Sequence, residues 1–235
     1  MRLEVAVRGP QEILAPLRES EIRGGLITRR IGIAVHLFQE VDSTNDEAAA
    51  LAGRGEAEGA IVVAEAQRRG RGRMGRRWQS PKGLGLYLSV ILRPPISPQG
   101  APMLTLMGAV AGAEAVERTT GLIVSLKWPN DLIVHGRKVG GILGEMAAEG
   151  SGLRHVIFGI GINVNQTEGE FEGELRQTAS SLRLEAGHPV DRTGIVRSLC
   201  ESLDRWYDRF LADGAPPILE QARRRCLTLG RMVVA

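Results

Sequence analysis

The sequence predicts an α+β fold, in which a largely antiparallel or mixed sheet carries helices packed on it. Short β-rich apolar runs cluster in the middle of the chain, helical patterns follow them, and the connections between successive strands are short enough for hairpins. These features argue against a doubly wound parallel sheet. The length of 235 residues allows one large domain, or one domain with a small appendage.

The first half of the chain alternates predicted helices and strands. A short helix is predicted over residues 11–23. A second helix begins near Ser43, because Ser43 with Asp46, or Thr44 with Glu47, has the spacing of a capping box. The strands of this half are predicted at 31–38, 60–66 and 84–92.

The second half contains the longest helical patterns and a predicted hairpin. The hairpin covers 132–147, with Gly136 supplying the tight reversal, and a further strand is predicted over 155–165. Apolar residues then recur at helical spacing, and that stripe is interpreted as core. Helices are predicted at 102–119, 193–211 and 216–226, and the final residues, LGRMVVA, have the pattern of one more strand.

Composition is that of an ordinary globular protein, with 43% hydrophobic and 24% charged residues. The chain lacks an apolar run of the ~18 residues that span a bilayer, and its N-terminus lacks the character of a signal peptide. We therefore expect a cytoplasmic protein that does not associate with a membrane. Cys200 and Cys226 have no companions at ligand spacing, so both are expected to be small core residues rather than zinc ligands or a disulfide.

Positive charge is concentrated in one segment. The formal net charge is +3, yet six arginines fall within ten positions, and the rest of the chain has 24 basic against 27 acidic residues. The intervening glycines predict a loop whose backbone N–H groups can approach an anion, and the arginine side chains suit phosphate or carboxylate. Composition alone leaves nucleotide phosphate and RNA about equally favoured. The six arginines are Arg68, Arg69, Arg71, Arg73, Arg76 and Arg77.

Three further motifs combine glycines or turn residues with polar side chains. Residues 127–131, KWPND, place a lysine, an amide and a carboxylate at a strand end, a set suited to a nucleotide and Mg²⁺ as well as to a simple turn. Residues 138–145, KVGGILGE, put paired glycines in a strand after a lysine, which marks a bulge or the close approach of a ligand. Residues 159–165, GIGINVN, repeat that pattern with an asparagine.

Taken together and in this order, the motifs resemble the catalytic domain of biotin protein ligases. The family pattern is S-T-N, then Q-x-x-G-R-G-R-x-G-R-x-W, K-W-P-N-D, K-x-x-G-I-L-x-E and G-x-G-x-N. The resemblance covers roughly residues 30–230. It implies a mixed sheet with helices on one face, related to class II aminoacyl-tRNA synthetases. The motifs occur here as Ser43–Asn45, Gln67 with Gly70–Trp78, Lys127–Asp131, Lys138–Glu145 and Gly159–Asn163.

The resemblance also implies a reaction and its substrates. Biotin reacts with ATP, in the presence of Mg²⁺, to give biotinyl-5′-AMP, and a lysine of an acceptor then takes the biotin. The acceptor implied is a biotin carboxyl carrier domain of acetyl-CoA carboxylase or a related carboxylase. No enzyme nucleophile and no tightly bound prosthetic group are required, so catalysis should rest on positioning and on stabilising charge at phosphate.

Site residues are carried over from the family motifs by position. Lys138, Arg73 and Asp131 are the predicted catalytic residues, with Asp131 as a Mg²⁺ ligand. The predicted biotin-binding residues are Ser43, Thr44, Asn45, Gln67, Arg71, Gly72, Arg73, Lys138, Gly140 and Gly141. The predicted nucleotide-binding residues are Arg71, Arg73, Arg76, Trp78, Lys127, Asn130, Asp131 and Asn163.

Domain boundaries follow from the same resemblance. Residues 1–30 are expected to be an N-terminal extension, 31–229 the catalytic domain, and 230–235 the start of a truncated or missing C-terminal domain. The extension is too short for a helix-turn-helix module of ~60 residues, so DNA binding is not expected. A homodimer through exposed sheet edges is expected from the family alone.

Two other functions compete with this prediction. A lipoate or octanoate ligase or transferase would keep the lysine at the acyl junction, but not the arginine–glycine loop together with KWPND. An RNA-binding module using residues 68–77 would bind single strands with strong salt dependence and would have aromatic residues beside the basic run. Only Trp78 lies close by, and the motifs embedded in strands would go unexplained.

Overall fold

A seven-stranded sheet forms the centre of the computed structural model, which describes residues 14–149 and 152–230. The strand order is β1-β2-β3-β7-β6-β5-β4. Strands β1 and β2 are parallel and every other neighbouring pair is antiparallel, so the predicted mixed, largely antiparallel sheet is confirmed. The strands are β1 Val35–Phe38, β2 Ile61–Ala64, β3 Gly85–Leu92, β4 Ser125–Lys127, β5 Asp131–Val134, β6 Arg137–Glu149 and β7 Gly152–Asn163.

Helices cover the sheet unequally on its two faces. The described helices are α1 Glu19–Arg23, α2 Thr44–Gly53, α3 Ala101–Thr120, α4 Leu175–Thr178, α5 Leu182–Ala186, α6 Arg192–Asp213 and α7 Pro216–Arg225. The long helices α3 and α6 share one large core with alternate residues of β3 and β7. Helix α2 packs on the opposite face, where Ala48 and Ala52 meet Val62, Ile91 and Ile157. Among the described residues, no helix combines the length and apolar character needed to cross a membrane.

Most predicted elements are confirmed, and the exceptions lie near the N-terminus. Of the helix predicted over 11–23, residues 11–13 fall outside the described part, and helical structure begins only at Glu19. The strand predicted from residue 31 begins at Val35. Residues 31–34 form turns and bends instead, and the backbone N–H groups of Arg30 and Ile31 donate to Asp204 Oδ1 at 2.8 and 2.9 Å.

The capping box predicted at the start of α2 does not form. Ser43 is the N-cap, but its side chain accepts no capping hydrogen bond. The polar side chains that follow point instead into the protein: Thr44 Oγ1 lies 3.1 Å from Gln67 Oε1, and Asn45 Nδ2 donates to Glu145. These residues therefore serve tertiary contacts rather than the helix end.

A buried ion pair joins α6 to the sheet. Arg192 and Glu65 are each 1% exposed, and Arg192 Nη1 lies 2.7 Å from Glu65 Oε2. Glu65 Oε1 also accepts the N–H of Leu17, and Arg192 donates to the carbonyl oxygens of Ala15 and Gly85. Removing either partner would leave a buried charge without its counter-ion, at a cost of about 3–5 kcal/mol.

The outer edge of β4 is partly covered by residues that follow α7. Cys226 pairs with Leu126 in a parallel bridge, and the N–H of Leu227 donates to the carbonyl oxygen of Leu126 at 2.9 Å. The expected core position is confirmed for Cys200, which is fully buried, but Cys226 is only half-buried and its thiol contacts Thr228. The final strand predicted from LGRMVVA falls mostly on residues 231–235, outside the described part.

Because α3 packs tightly on β7, a methyl group added at Gly108 of α3 should lower the stability of the protein. A Cβ at Gly108 would overlap the ring of Phe158. Alanine favours a helix over glycine by about 1 kcal/mol, but overpacking costs about 1–3 kcal/mol or more, so the overlap should decide the sign. We expect Gly108→Ala to lower the free energy of unfolding by about 1–3 kcal/mol in urea denaturation.

The matched control is Gly53→Ala at the end of α2, where a Cβ would meet nothing within 4 Å. This substitution should leave the free energy of unfolding unchanged or raise it by up to about 1 kcal/mol. Equal destabilisation by both substitutions would contradict the packing described for α3.

Candidate active site

A cavity of about 910 Å³ lies on the face of the sheet opposite α3 and α6. Successive residues of β7 point to opposite faces of the sheet, and this alternation explains the position of the cavity. Phe158, Ile160 and Ile162 belong to the large core, whereas Gly159 and Gly161, which alternate with them, carry no side chain to fill the other face. The walls come from the Arg/Gly loop (residues 67–78), the β4–β5 turn, strand β6 and the segment 166–179.

The Trp78 indole lies against the floor of this cavity. A Cβ at Gly161 would come within 2.6 Å of Trp78 Cε2, and a Cβ at Gly141 within 3.5 Å of Cζ3. The ring can approach the strands so closely because these positions are glycines. Lys138 Nζ lies 5.5 Å from the ring centroid, within the range of a cation–π contact.

A cluster of polar side chains forms one end of the cavity. Ser43, Thr44 and Asn45, at the start of α2, are buried and lie beside Gln67. Gln67 Nε2 donates to Ser80 at 2.9 Å, which orients its amide. We call the cluster Ser43, Thr44, Asn45 and Gln67 the polar pocket.

Ser89 holds two residues of the polar pocket by hydrogen bonds, and this role was not predicted from the sequence. It is fully buried on β3, and its hydroxyl lies 2.6 Å from Asn45 Oδ1 and 2.8 Å from Thr44 Oγ1. A serine in the middle of the apolar run LYLSVIL was the available signal, because a buried hydroxyl requires a partner.

The predicted loop conformation of the arginine-rich segment is confirmed, and the first half of this loop is anchored by carboxylates. Arg68 and Arg69 both donate hydrogen bonds to Asp42. These bonds hold the pKa of Asp42 below its usual value, and the bond from Arg68 has the larger effect. Arg71 lies 2.7 Å from Asp46 Oδ1 and 3.0 Å from Glu145 Oε2. Its hydrogen bonds, chiefly to Asp46, raise the pKa of Arg71 well above its usual value.

The tip of the loop keeps its positive charge available. Arg73, Arg76 and Arg77 are exposed, and none forms an ion pair with another residue in the described part of the chain. Arg73 makes one long hydrogen bond of 3.3 Å to Asn130 Oδ1. The tip is closed by the N–H of Gly72 donating to the carbonyl oxygen of Arg76. Three guanidinium groups therefore face the cavity mouth without a carboxylate partner.

Lys138 lies on the cavity wall beside Trp78 and Asp131. Its Nζ lies 2.6 Å from Asp131 Oδ1 on β5, and its carbonyl oxygen accepts the N–H of Ser180. Lys127 is exposed on the cavity wall, and Asn130 is held by donating Nδ2 to the carbonyl oxygen of Ile142. The KWPND turn thus presents the Lys127 ammonium group and the Asp131 carboxylate to the cavity.

Asn163 organises the segment that closes this side. It is buried, donates Nδ2 to the carbonyl oxygen of Ser180 at 3.0 Å, and accepts a 3.3 Å hydrogen bond from Gln166. Because Ser180 also binds the backbone of Lys138, Asn163 contributes indirectly to the position of that lysine.

The structure brings the predicted site residues together, with one correction. A Cβ at Gly140 would point to Leu132 and to the carbonyl oxygen of Gly161, each at 3.0 Å, and Leu132 belongs to the core under α3. Gly140 therefore does not provide ligand space. The predicted residues that line the cavity are Ser43, Thr44, Asn45, Gln67, Arg71, Gly72, Arg73, Arg76, Trp78, Lys127, Asn130, Asp131, Lys138, Gly141 and Asn163.

The residues around Asp131 do not form a dedicated magnesium site. In the described ranges 14–149 and 152–230, no group of three or more His, Cys, Asp or Glu side chains is placed to hold a metal ion. Asp131 already binds the Lys138 cation. Mg²⁺ often uses only one or two carboxylates together with substrate phosphates, so an ion here would depend on the nucleotide.

Comparison with known proteins identifies relatives of the chain. The family described as biotin/lipoate A/B protein ligase matches residues 37–163. The bifunctional ligase/repressor BirA of Bacillus subtilis is 43% identical over 202 residues, which cover 86% of this chain and 62% of that protein. The chain thus spans about three fifths of this relative's length.

Other relatives match over most of their own length. The biotin–[acetyl-CoA-carboxylase] ligase of Paracoccus denitrificans is 34% identical, over 85% of this chain and 83% of that protein. Among solved structures, the biotin protein ligase from Aquifex aeolicus in complex with biotin and ATP superimposes with a TM-score of 0.73 at 31% identity. That match covers 85% of this chain and 81% of that one.

The contact between Trp78 and the floor predicts the effect of a substitution at Gly161. In Gly161→Ala the new methyl group would meet the indole at 2.6 Å, so the ring must move out of the cavity wall. We expect a changed near-UV circular dichroism spectrum and a loss of about 1–3 kcal/mol of unfolding free energy.

Gly141→Ala is the matched control, because its methyl group would meet the same ring at an ordinary contact distance of 3.5 Å. Its spectrum should match the wild type, and its stability should lie within about 0.5 kcal/mol. Identical spectra for Gly161→Ala and wild type would contradict the described position of Trp78.

Proposed function

The chain belongs to the biotin/lipoate A/B protein ligase family, and on that premise we propose that it is an ATP-dependent biotin protein ligase. It activates biotin as biotinyl-5′-AMP and transfers biotin to a lysine of an acceptor protein. The observation that carries the proposal is the two-ended cavity. It has a buried polar pocket at one end and, at the other, guanidinium groups without a carboxylate partner in the described part of the chain, and Lys138 also lines it. The polar pocket suits a polar ring system, and the guanidinium groups suit the phosphates of a nucleoside triphosphate.

The polar pocket suits the fused-ring head of biotin. The ureido group of that head has one carbonyl acceptor and two N–H donors, and the hydroxyls and amides of Ser43, Thr44, Asn45 and Gln67 can satisfy both kinds of group. Trp78 and the flat glycine floor offer an apolar surface for the rest of the ring system. The dithiolane ring of lipoate has no N–H or carbonyl group, so it cannot use the remaining hydrogen-bonding capacity of these polar groups, which disfavours it.

The other end of the cavity suits ATP. Arg73, Arg76 and Arg77 can bind phosphate oxygens as planar, permanently charged donors. Their binding should order the loop tip over the nucleotide. Lys127 and Asn130 lie on the same wall and are proposed nucleotide contacts.

Activation needs no nucleophile from the protein. A carboxylate oxygen of biotin attacks the α-phosphorus of ATP, the bond to the bridging oxygen breaks, and pyrophosphate leaves with that electron pair. We propose that Lys138 and Arg73, which both line the cavity, stabilise the negative charge that builds on the phosphate oxygens where the carboxylate meets the α-phosphate. Asp131 orients Lys138 through their 2.6 Å contact.

Transfer completes the reaction. The neutral amine of an acceptor lysine attacks the acyl carbon, the acyl–phosphate bond breaks, AMP leaves, and the nitrogen loses its proton as the amide forms. The enzyme contributes mainly by holding the two reacting groups in place. Relatives named biotin–[acetyl-CoA-carboxylase] ligase support a carboxyl carrier domain of such a carboxylase as the acceptor.

Pyrophosphate–ATP exchange with biotin, lipoate, octanoate or no acid tests the first half-reaction. We expect exchange with biotin alone. Lys138→Ala should reduce it by about 10²–10³-fold, the range seen when one preorganised charge stabiliser is removed. Arg73→Ala should also reduce exchange and should raise the KM for ATP.

Arg209→Ala provides the control, since Arg209 lies on α6, on the opposite side of the sheet, and its loss removes the same charge. It should exchange like the wild type. Exchange with lipoate or octanoate would assign the chain to the other branch of its family, and exchange with no acid would refute the proposed reaction.

A further inference from the structure

We propose that Glu145 is a positioning residue that fixes the hydrogen-bond polarity of the polar pocket and couples that pocket to the Arg/Gly loop. This inference rests on the proposed function, because it assigns the pocket to the biotin head. Glu145 does not line the cavity, so it acts through the residues that it holds.

The Glu145 carboxylate makes two kinds of contact. It accepts a 2.7 Å hydrogen bond from Asn45 Nδ2, within the polar pocket. It also accepts hydrogen bonds of 3.0 and 3.1 Å from Arg71 Nη2, within the loop. Glu145 on β6 therefore contacts both segments, which also meet directly where Arg71 pairs with Asp46.

The first contact determines which way the Asn45 amide faces. An ionised carboxylate can only accept, so Asn45 must turn its NH₂ group to Glu145 and its carbonyl oxygen to Ser89. Asn45 Oδ1 lies 2.6 Å from the Ser89 hydroxyl, which must therefore donate its single proton to that oxygen. The Thr44 hydroxyl lies 2.8 Å from Ser89 Oγ and 3.1 Å from Gln67 Oε1, and both of these oxygens are acceptors for its single proton.

One carboxylate thus orders a row of groups that could otherwise reverse. Amides and hydroxyls can each donate or accept, and Ser89 is fully buried without access to water. With Glu145 in place the pocket offers a fixed pattern of donors and acceptors to a ring that has both. A pocket with this fixed polarity can select a ureido ring over a ring of similar size without polar groups.

The second contact links this pattern to the nucleotide end. Arg71 is held between Glu145 and Asp46, and it precedes the tip that carries Arg73 and Arg76. A disturbance of Glu145 therefore loosens the base of the loop as well as Asn45. Loss of Glu145 should weaken binding of both substrates and leave the chemical step largely intact.

Glu145→Gln is the decisive variant, because it keeps the size and removes the charge. Its amide can donate as well as accept, so the orientation of Asn45 then depends only on the long 3.5 Å hydrogen bond from its Nδ2 to the carbonyl oxygen of Leu143 and on Ser89. We expect the Kd for biotin from calorimetry and the KM for biotin in exchange to rise by about 10- to 100-fold. The kcat should stay within about threefold of wild type, and the midpoint of thermal unfolding should be close to wild type. Glu145→Asp, which still only accepts, should recover part of the affinity.

Glu40→Gln is the matched control. Glu40 is also a carboxylate bound to an arginine of this loop, at 3.3 Å from Arg68, but it makes no contact with the polar pocket. It should bind biotin like the wild type. In ligand-free protein, hydrogen exchange over residues 70–77 should quicken in Glu145→Gln and not in Glu40→Gln.

The outcomes separate this inference from the proposed function. Wild-type protein that binds no biotin would refute the proposed function, and hydrogen exchange would still decide whether Glu145 holds the loop. Biotin binding by Glu145→Gln equal to wild type, or unchanged exchange over 70–77, would overturn the positioning role. An equal fall in kcat, affinity and thermal stability would also overturn it, because a general structural defect has that signature.

Discussion

The architecture depends on the two-sided use of strand β7. Its even-numbered residues, Val156 to Ile162, pack under the long helices and are almost fully buried. Its odd-numbered glycines, Gly159 and Gly161, face the cavity, where Asn45 and Trp78 occupy the space that side chains would fill. A strand alternates strictly between its two faces, so one segment supplies the core and the floor of the site at once. The position of the floor is therefore as rigid as the core itself.

The electrostatics of the Arg/Gly loop follow a similar division. Asp42, Asp46 and Glu145 neutralise Arg68, Arg69 and Arg71, so the base of the loop is fixed to the body of the protein. The guanidinium groups at the tip have no such partners among the described residues. A count of charges along the chain overstates the positive potential offered to a ligand, because half of these arginines already have carboxylate partners. What remains is a smaller cluster beside Lys138, suited to a compact polyanion.

The sequence was most informative where a pattern was long or a motif was dense. The long helices and the hairpin could be predicted because each has its own periodicity or turn signal. The cavity-lining residues were predicted from the resemblance of their motifs to those of a known family. The sequence did not show which residues of a strand face the cavity. Gly140 and Gly141 are neighbours on one strand, so only one can face the cavity, and the irregular register of β6 beside Leu132 and Ile133 determines which. Glu145 and Ser89 escaped prediction because their roles arise from partners distant in sequence.

The covered edge of β4 has a consequence for how this protein behaves in concentrated solution. A free strand edge presents unpaired N–H and carbonyl groups, which can recruit a strand of another molecule and begin aggregation. Here the N–H of Leu227 donates to the carbonyl oxygen of Leu126, and Cys226 forms a bridge with Leu126. The turn after α7 therefore lies along the edge where a strand of another molecule would pair. Residues far from the cavity thereby protect the sheet against cross-molecular pairing. Any shortening of the chain before Cys226 would expose that edge and favour insoluble protein.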